Sequence, residues 1–275
     1  LNFMNRTNPI GFFDSGIGGL TVVKAVTQLM PNENIVYFGD TARVPYGSKS
    51  NETVVEYSIQ AANFLLRKNI KLLIVACNTA SSVALNELRK FLTIPVIGMI
   101  EPGAKMASQE TKNNKIGVIG TRATVNNKAY STELKKLNSK LKVYEKACPL
   151  FVPLAEEGWI DNKATEAIAK EYLLDFKSKE IDSLILGCTH YPILAPVIQK
   201  VIGKKVKLID SGTPAAKIVE DYLNGRGLRN QSVHQGQSEF YVSDVPTTFR
   251  EVAERFLGKK INHLHKVELE ELTNE

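Results

Sequence analysis

The chain has 275 residues, enough for two ordinary α/β domains, and its 43% hydrophobic and 23% charged residues are those of a soluble globular protein. No apolar run approaches the roughly 18 residues of a membrane span, and residues 1–9 lack the basic-then-apolar layout of a secretory signal, so no membrane partner is expected. The formal net charge of +6 is spread along the chain with no basic cluster interleaved with aromatics, which reads as a solvated lysine-rich surface and argues against nucleic acid.

Residues 1–3, ahead of Met4, are left out of the fold reading. A strand at 9–13 enters a glycine-rich turn and then a helix. Strands follow at 34–38 and 71–76, with a helix at 52–67 between them and another at 81–91. Beyond a strand at 95–99 come strands at 115–120 and 142–146 around a helix at 126–140. A helix at 165–178 then leads to strands at 182–186 and 206–209 and a helix at 214–223. The tail is poorly patterned, with one more strand at 238–242, one more helix at 247–256 and a frayed acidic end at 267–275. Several strands, such as Leu72-Leu73-Ile74-Val75-Ala76, have no polar alternation, which is the pattern of a strand covered on both faces. Strand–helix alternation over this length predicts an α/β fold with a mainly parallel sheet flanked by helices.

Weak internal similarity suggests two such units. An apolar strand runs into Cys77-Asn78-Thr79 and again into Cys188-Thr189, and Asp-Ser-Gly closes a strand at 14–16 and at 210–212. Matches this short also arise by chance, so duplication stays open on the residues alone. Gly/Pro-containing stretches near 98–103 and 209–214 divide the chain into residues 1–98 with 210–275, and residues 99–209.

The turn Asp14-Ser15-Gly16-Ile17-Gly18-Gly19 exposes backbone amides that suit an anion. It is not a dinucleotide fingerprint, because Thr21 stands where the last glycine belongs and Asp14 would repel a pyrophosphate. Three cysteines are too few and too odd in number for a disulfide framework, so free thiols in a reducing cytoplasm are expected. They lie far apart without Cys-x-x-Cys or His-x-x-x-His spacing, so no metal is expected. A lone cysteine is usually inert and buried, and Cys148 is read that way. Cys77 and Cys188 differ, since each ends an apolar strand and leads into hydroxyl or amide side chains. His190, two residues after Cys188, suits an acid, a base or a thiolate partner. Pro45-Tyr46-Gly47 on its own is an ordinary turn.

Taken together, Asp14–Gly19, Pro45-Tyr46-Gly47, Cys77-Asn78-Thr79-Ala80, Gly120-Thr121 with Thr124, and Gly187-Cys188-Thr189-His190-Tyr191-Pro192 resemble the signature set of the glutamate racemases, in that family's order. The resemblance implies two pseudosymmetric α/β domains with the active site in the cleft between them. It implies cofactor-independent racemisation of L- and D-glutamate in which Cys77 takes the α-proton from the D-enantiomer and Cys188 from the L-enantiomer. Asp14 would assist near Cys77 and His190 near Cys188, with Glu156 rather than the adjacent Glu157 as the site glutamate. Substrate binding maps onto Asp14, Ser15, Tyr46, Gly47, Asn78, Thr79, Thr121, Thr189 and His190. Supply of D-glutamate for cell-wall peptidoglycan, a cytoplasmic location and a homodimer are further expectations.

Inverting a Cα centre without a cofactor needs one base on each face, the opposite group being protonated. A free thiol, with a pKa of about 8.5, makes a thiolate facing a thiol attainable near neutrality. The rivals are a racemase of a related amino acid such as aspartate, a nucleotide-dependent oxidoreductase and a non-enzymatic ligand-binding module. The imperfect glycine turn counts against the second, and the paired strand-end thiols against the third.

Overall fold

A computed structural model describes residues 5–273; the expectations for residues 1–3 and for the last two of the acidic tail lie outside the described residues. The chain opens with β1 (Ile10–Asp14), α1 (Leu20–Leu29) and β2 (Ile35–Gly39), then two short 3-10 turns, Thr41–Arg43 and Tyr46–Ser48. Helix α2 (Asn51–Leu66), β3 (Leu72–Val75), α3 (Asn78–Val83), α4 (Leu85–Phe91) and β4 (Val96–Ile97) follow. Next come α5 (Ile100–Glu110), β5 (Lys115–Gly120), α6 (Arg122–Asn126), α7 (Ala129–Leu137), β6 (Lys142–Ala147), α8 (Phe151–Glu156), α9 (Lys163–Lys179) and β7 (Ser183–Gly187). A 3-10 turn at Tyr191–Leu194 leads to α10 (Ala195–Ile202), β8 (Lys207–Asp210), α11 (Gly212–Gly225), β9 (Ser238–Val242), α12 (Phe249–Leu257), β10 (Leu264–Lys266) and α13 (Leu269–Thr273).

These strands build two parallel sheets, ordered β10-β9-β2-β1-β3-β4 and β6-β5-β7-β8. Strands β1, β3 and β7 are buried along their whole length, as continuous apolar runs demand when helices cover both faces. The order 2-1-3-4 at one end of the first sheet recurs as 6-5-7-8 in the second, so β1 corresponds to β5 and β3 to β7. Cys77 and Cys188 therefore follow corresponding strands. The two Asp-Ser-Gly triplets do not correspond: the first follows central β1, the second follows β8 at a sheet edge.

Local deviations from the expected elements have identifiable causes. The helix expected at 81–91 begins at Asn78, where the Cys77 thiol caps it, and breaks at Ala84. That expected at 126–140 is two helices, because Lys128 takes a left-handed conformation (φ 50°) between them. Helix α5 begins just after Gly98 and runs through Pro102 and Gly103. A proline in the first turn loses no intrahelical bond, and Gly103 lets the Tyr130 ring approach, since a Cβ there would lie 3.2 Å from it. The acidic end, expected to fray, carries α13, with Leu272 buried.

Candidate active site

In an open parallel sheet, ligands settle beyond the strands' carboxyl ends where connections diverge to opposite sides. In the 2-1-3-4 order that point lies between β1 and β3, and in the second sheet between β5 and β7. The residues leaving those four ends are Ser15, Cys77, Thr121 and Cys188, and all four line one cavity of about 370 Å³.

On the first wall, Cys77 sits at the N-cap of α3, with its Sγ 3.5 Å from the Ala80 amide and 3.3 Å from Ser15 Oγ. Burial, reinforced by the Asp14 carboxylate, pushes this thiol up to about 12. Asp14 does not line the cavity; it is buried one layer behind, where its Oδ2 accepts bonds from the Gly16 amide at 3.1 Å and the Tyr37 hydroxyl at 3.2 Å. Its other oxygen has no partner, and burial raises the carboxyl above the usual aspartate range. The glycine turn thus folds its acceptor inward, and the hydroxyl of Thr21, the residue that spoils a nucleotide fingerprint, shares its one proton between Gly18 O at 2.9 Å and Thr189 O at 3.0 Å. Gly18 is required there, because a Cβ would collide with Thr189 and His190.

On the second wall, Cys188 Sγ lies 3.8 Å from His190 Nδ1, and His190 Nε2 lies 2.8 Å from Glu156 Oε1. Burial alone would lower the imidazole's pKa, but the Cys188 sulfur and the Glu156 carboxylate outweigh it and hold it at about 10. His190 is therefore an imidazolium at neutral pH, with one N–H aimed at each neighbour.

Between the walls stand Asn78, Thr79, Thr121 and Thr189. Thr79 and Thr121 join hydroxyls at 2.9 Å across the two halves, and Thr121 meets Thr124 at 3.0 Å. Asn78 donates to the Tyr130 hydroxyl at 2.8 Å. Tyr46 and Gly47 close one side, with the Tyr46 hydroxyl committed to buried Asp40, which also accepts from Arg43 at 2.7 Å and Ser243 at 2.8 Å. Of the residues expected from the sequence to be catalytic or to bind substrate, all but Asp14 line the cavity, and Glu156 lines it where Glu157 does not. Cys148 is buried away from it, with its thiol raised by burial. Sequence reasoning missed the wall of Pro149, Val152 and Pro153 and the rim residue Arg122. Apolar wall residues carry no motif, so no signal pointed to them. Among the described residues no group of three or more His, Cys, Asp or Glu side chains could hold a metal ion, and no helix is long and apolar enough to cross a membrane.

This geometry can be set beside known proteins. The family of Asp/Glu/Hydantoin racemases matches residues 20–219, which includes both cysteines. The chain belongs to that family. It is 51% identical to glutamate racemase from Geobacter metallireducens over 95% of this chain and 97% of that protein. It is also 45% identical to that of Neisseria meningitidis serogroup A over 97% and 98%. Among solved structures, glutamate racemase from Francisella tularensis in complex with D-glutamate superposes with a TM-score of 0.91 at 43% identity, covering 96% of this chain and 98% of that one. The protein is thus an isomerase of the racemase class, built on the fold of these enzymes.

Proposed function

We propose that this racemase interconverts L- and D-glutamate by two-base proton transfer between Cys77 and Cys188, without pyridoxal phosphate, metal or nucleotide. The observation that carries the reading is the pair of thiols leaving corresponding strands of two sheets and facing one cavity, each with its own acidic or basic neighbour. Its choice of substrate is supported by the Francisella relative that holds D-glutamate.

In the L→D direction, the Cys188 thiolate, beside the His190 imidazolium, takes the α-proton, and the electron pair remains on Cα as a carbanion. The Cys77 thiol delivers its proton to the opposite face. The new C–H bond gives D-glutamate, Cys77 is left as thiolate and Cys188 as thiol. The reverse direction exchanges the roles, with Asp14 behind Cys77. Donors from Ser15, Asn78, Thr79 and Thr189 hold the α-carboxylate and stabilise the carbanion in a confined site, and holding both sulfurs in line with Cα lowers the barrier further. The finer expectations belong with this reading: the division of the chain at residues 98 and 210, a cytoplasmic homodimer, and supply of D-glutamate for peptidoglycan.

Circular dichroism of L-glutamate incubated with the protein alone tests the activity, with aspartate as the competing substrate. In D₂O at low conversion, the product enantiomer should carry deuterium at Cα while remaining substrate stays protiated, from either starting enantiomer. Product that keeps substantial protium, or substrate labelled as fast as product forms, would overturn the two-thiol route.

A further inference from the structure

We infer that Arg255 and Phe256, on the late helix α12, are positioning residues that fix the Glu156–His190 pair behind Cys188. Glu156 is the last residue of α8, a short helix in which the carbonyls of Pro153, Leu154 and Ala155 accept from the amides of Glu157, Trp159 and Gly158. The Glu156 carbonyl is reached instead by Arg255 Nη1 at 3.3 Å, and Arg255 Nη2 is held by Glu251 at 2.9 Å. The chain makes room for this guanidinium: Gly158, at φ 71°, lies beneath it, and a Cβ there would come within 2.6 Å of Arg255 Nη1. The next residue, Phe256, is fully buried and presents its ring to that of His190 at 5.3 Å and 76°. Two consecutive residues of one helix therefore grip both members of the pair, one at the backbone that carries the carboxylate and one at the imidazole ring.

Besides Gly18, against which its ring packs, His190 is held by its polar neighbours. Its Nδ1 faces the Cys188 sulfur from its own loop, its Nε2 faces Glu156 from α8, and Asp14 of β1 acts on it as a more distant charge. Glu156 is half-exposed at its side chain and belongs to a helix of only six residues. Without an anchor on that helix's last turn, the carboxylate would sample several rotamers rather than hold the bond to His190. Helix α12 packs on α1, which follows the glycine turn of the first wall, so the anchor also ties the Cys188 wall to the first sheet.

The kinetic arm of the test rests on the proposed role of Cys188 as the base for L-glutamate; the spectroscopic arm does not. In protein labelled with ¹⁵N-histidine, the His190 Nε2–H proton, assigned with His190→Asn, reports the bond to Glu156. Arg255→Met should speed its exchange with solvent at least about tenfold, and Arg255→Lys, which can still donate one bond, should restore most of the protection. The methionine variant should also slow kcat for L→D about tenfold, comparable to losing the partner behind a functional histidine, and more than kcat for D→L. In a Glu156→Gln background the same substitution should change kcat by less than about twofold, because a residue acting through Glu156 has nothing left to position. An unchanged Nε2–H proton, or effects that multiply with Glu156→Gln, overturn the inference. If the proton responds while Glu156→Gln and His190→Asn leave racemisation untouched, the positioning stands and the proposed role of the Cys188 wall falls. Should Arg255→Met prove too unstable to purify, Phe256→Leu, which keeps an apolar side chain in the core, reads the same proton.

Discussion

The two walls of the cavity carry the same thiol in opposite electrostatic settings. Cys77 has a buried carboxylate behind it and a thiol pushed up to about 12, so at neutral pH it keeps its proton. Cys188 faces an imidazolium 3.8 Å away that is itself anchored by Glu156. Pseudosymmetry of the strands thus does not extend to the charges. The resting site has a proton donor on one side and a sulfur next to a cation on the other, which is the arrangement that proton removal from one enantiomer requires. The other direction starts from the opposite protonation state, with Cys77 as thiolate. The Ser15 hydroxyl and the Ala80 amide favour that state, whereas the Asp14 carboxylate opposes it as a charge and can assist only by taking a proton.

The largest effect expected is the removal of either wall's thiol. Cys77→Ala and Cys188→Ala should each lower racemisation in both directions by at least about 10³-fold, since every turnover needs one acid and one base. A variant that kept racemisation within about tenfold of wild type would break the requirement for both sulfurs. A stability change remote from both walls supplies the contrast. At the other end of the first sheet, fully buried Lys71 donates to Glu33 at 2.6 Å and to the carbonyls of Arg6 at 2.7 Å and Leu228 at 2.9 Å. Lys71→Met leaves the buried Glu33 carboxylate without its cation, with only the Asn230 amide at 2.8 Å, and should cost about 3 kcal/mol of folding free energy. Urea denaturation checks the loss, and kcat of the folded fraction should stay unchanged.

Next in size is the exchange of partners. His190→Asn should slow kcat for L→D more than for D→L, and Asp14→Asn the reverse, by about 100-fold, the lower end of the range for general acid–base groups. The ratio of kcat/KM in the two directions is fixed by the equilibrium constant, so the asymmetry must show in kcat and KM separately. Equal changes of kcat in both directions for both variants would erase the assignment of partners to walls.

The strands and both thiols were legible because buried parallel strands leave continuous apolar runs and because a cysteine at a strand's end stands out in so polar a loop. Helix breaks at Ala84 and Lys128 were not: the second depends on one left-handed residue that periodicity does not encode, and at the first the backbone stays close to helical, so no turn residue marks it. Strand β10 was missed because its three residues are largely exposed and carry no alternation. At the site, the motif residues were readable, whereas Asp14's place behind the wall was not: the sequence shows a carboxylate beside a glycine turn but not which way it points. Arg255 lies ninety-nine residues beyond Glu156, and only the packing of α12 brings them together.

The smallest effect expected concerns what the Asp14 charge does to stability. Its folded pKa lies above the ordinary aspartate value because burial disfavours the charged form, and the Gly19 amide, the His190 charge, the Gly16 amide and the Tyr37 hydroxyl together do not fully offset that. With a folded pKa raised above the unfolded one, the native state holds this proton more tightly than the unfolded chain. Its stabilising contribution is therefore complete below the unfolded value of 3.8 and is lost as pH rises through the folded value. Above that point the wild type carries a buried charge at a net cost, and asparagine does not. Asp14→Asn has its own penalty, because the new amide N–H₂ takes the place of an oxygen that has no partner, but this penalty does not depend on pH. The stability difference between variant and wild type should consequently move in the variant's favour between pH 4 and pH 8, by less than the loss at Lys71. Urea midpoints of the two proteins at both pH values measure it. A difference that stays constant, or moves toward the wild type, would mean that Asp14 is no costlier charged in the fold than out of it. The contrast between the walls would then rest on His190 alone.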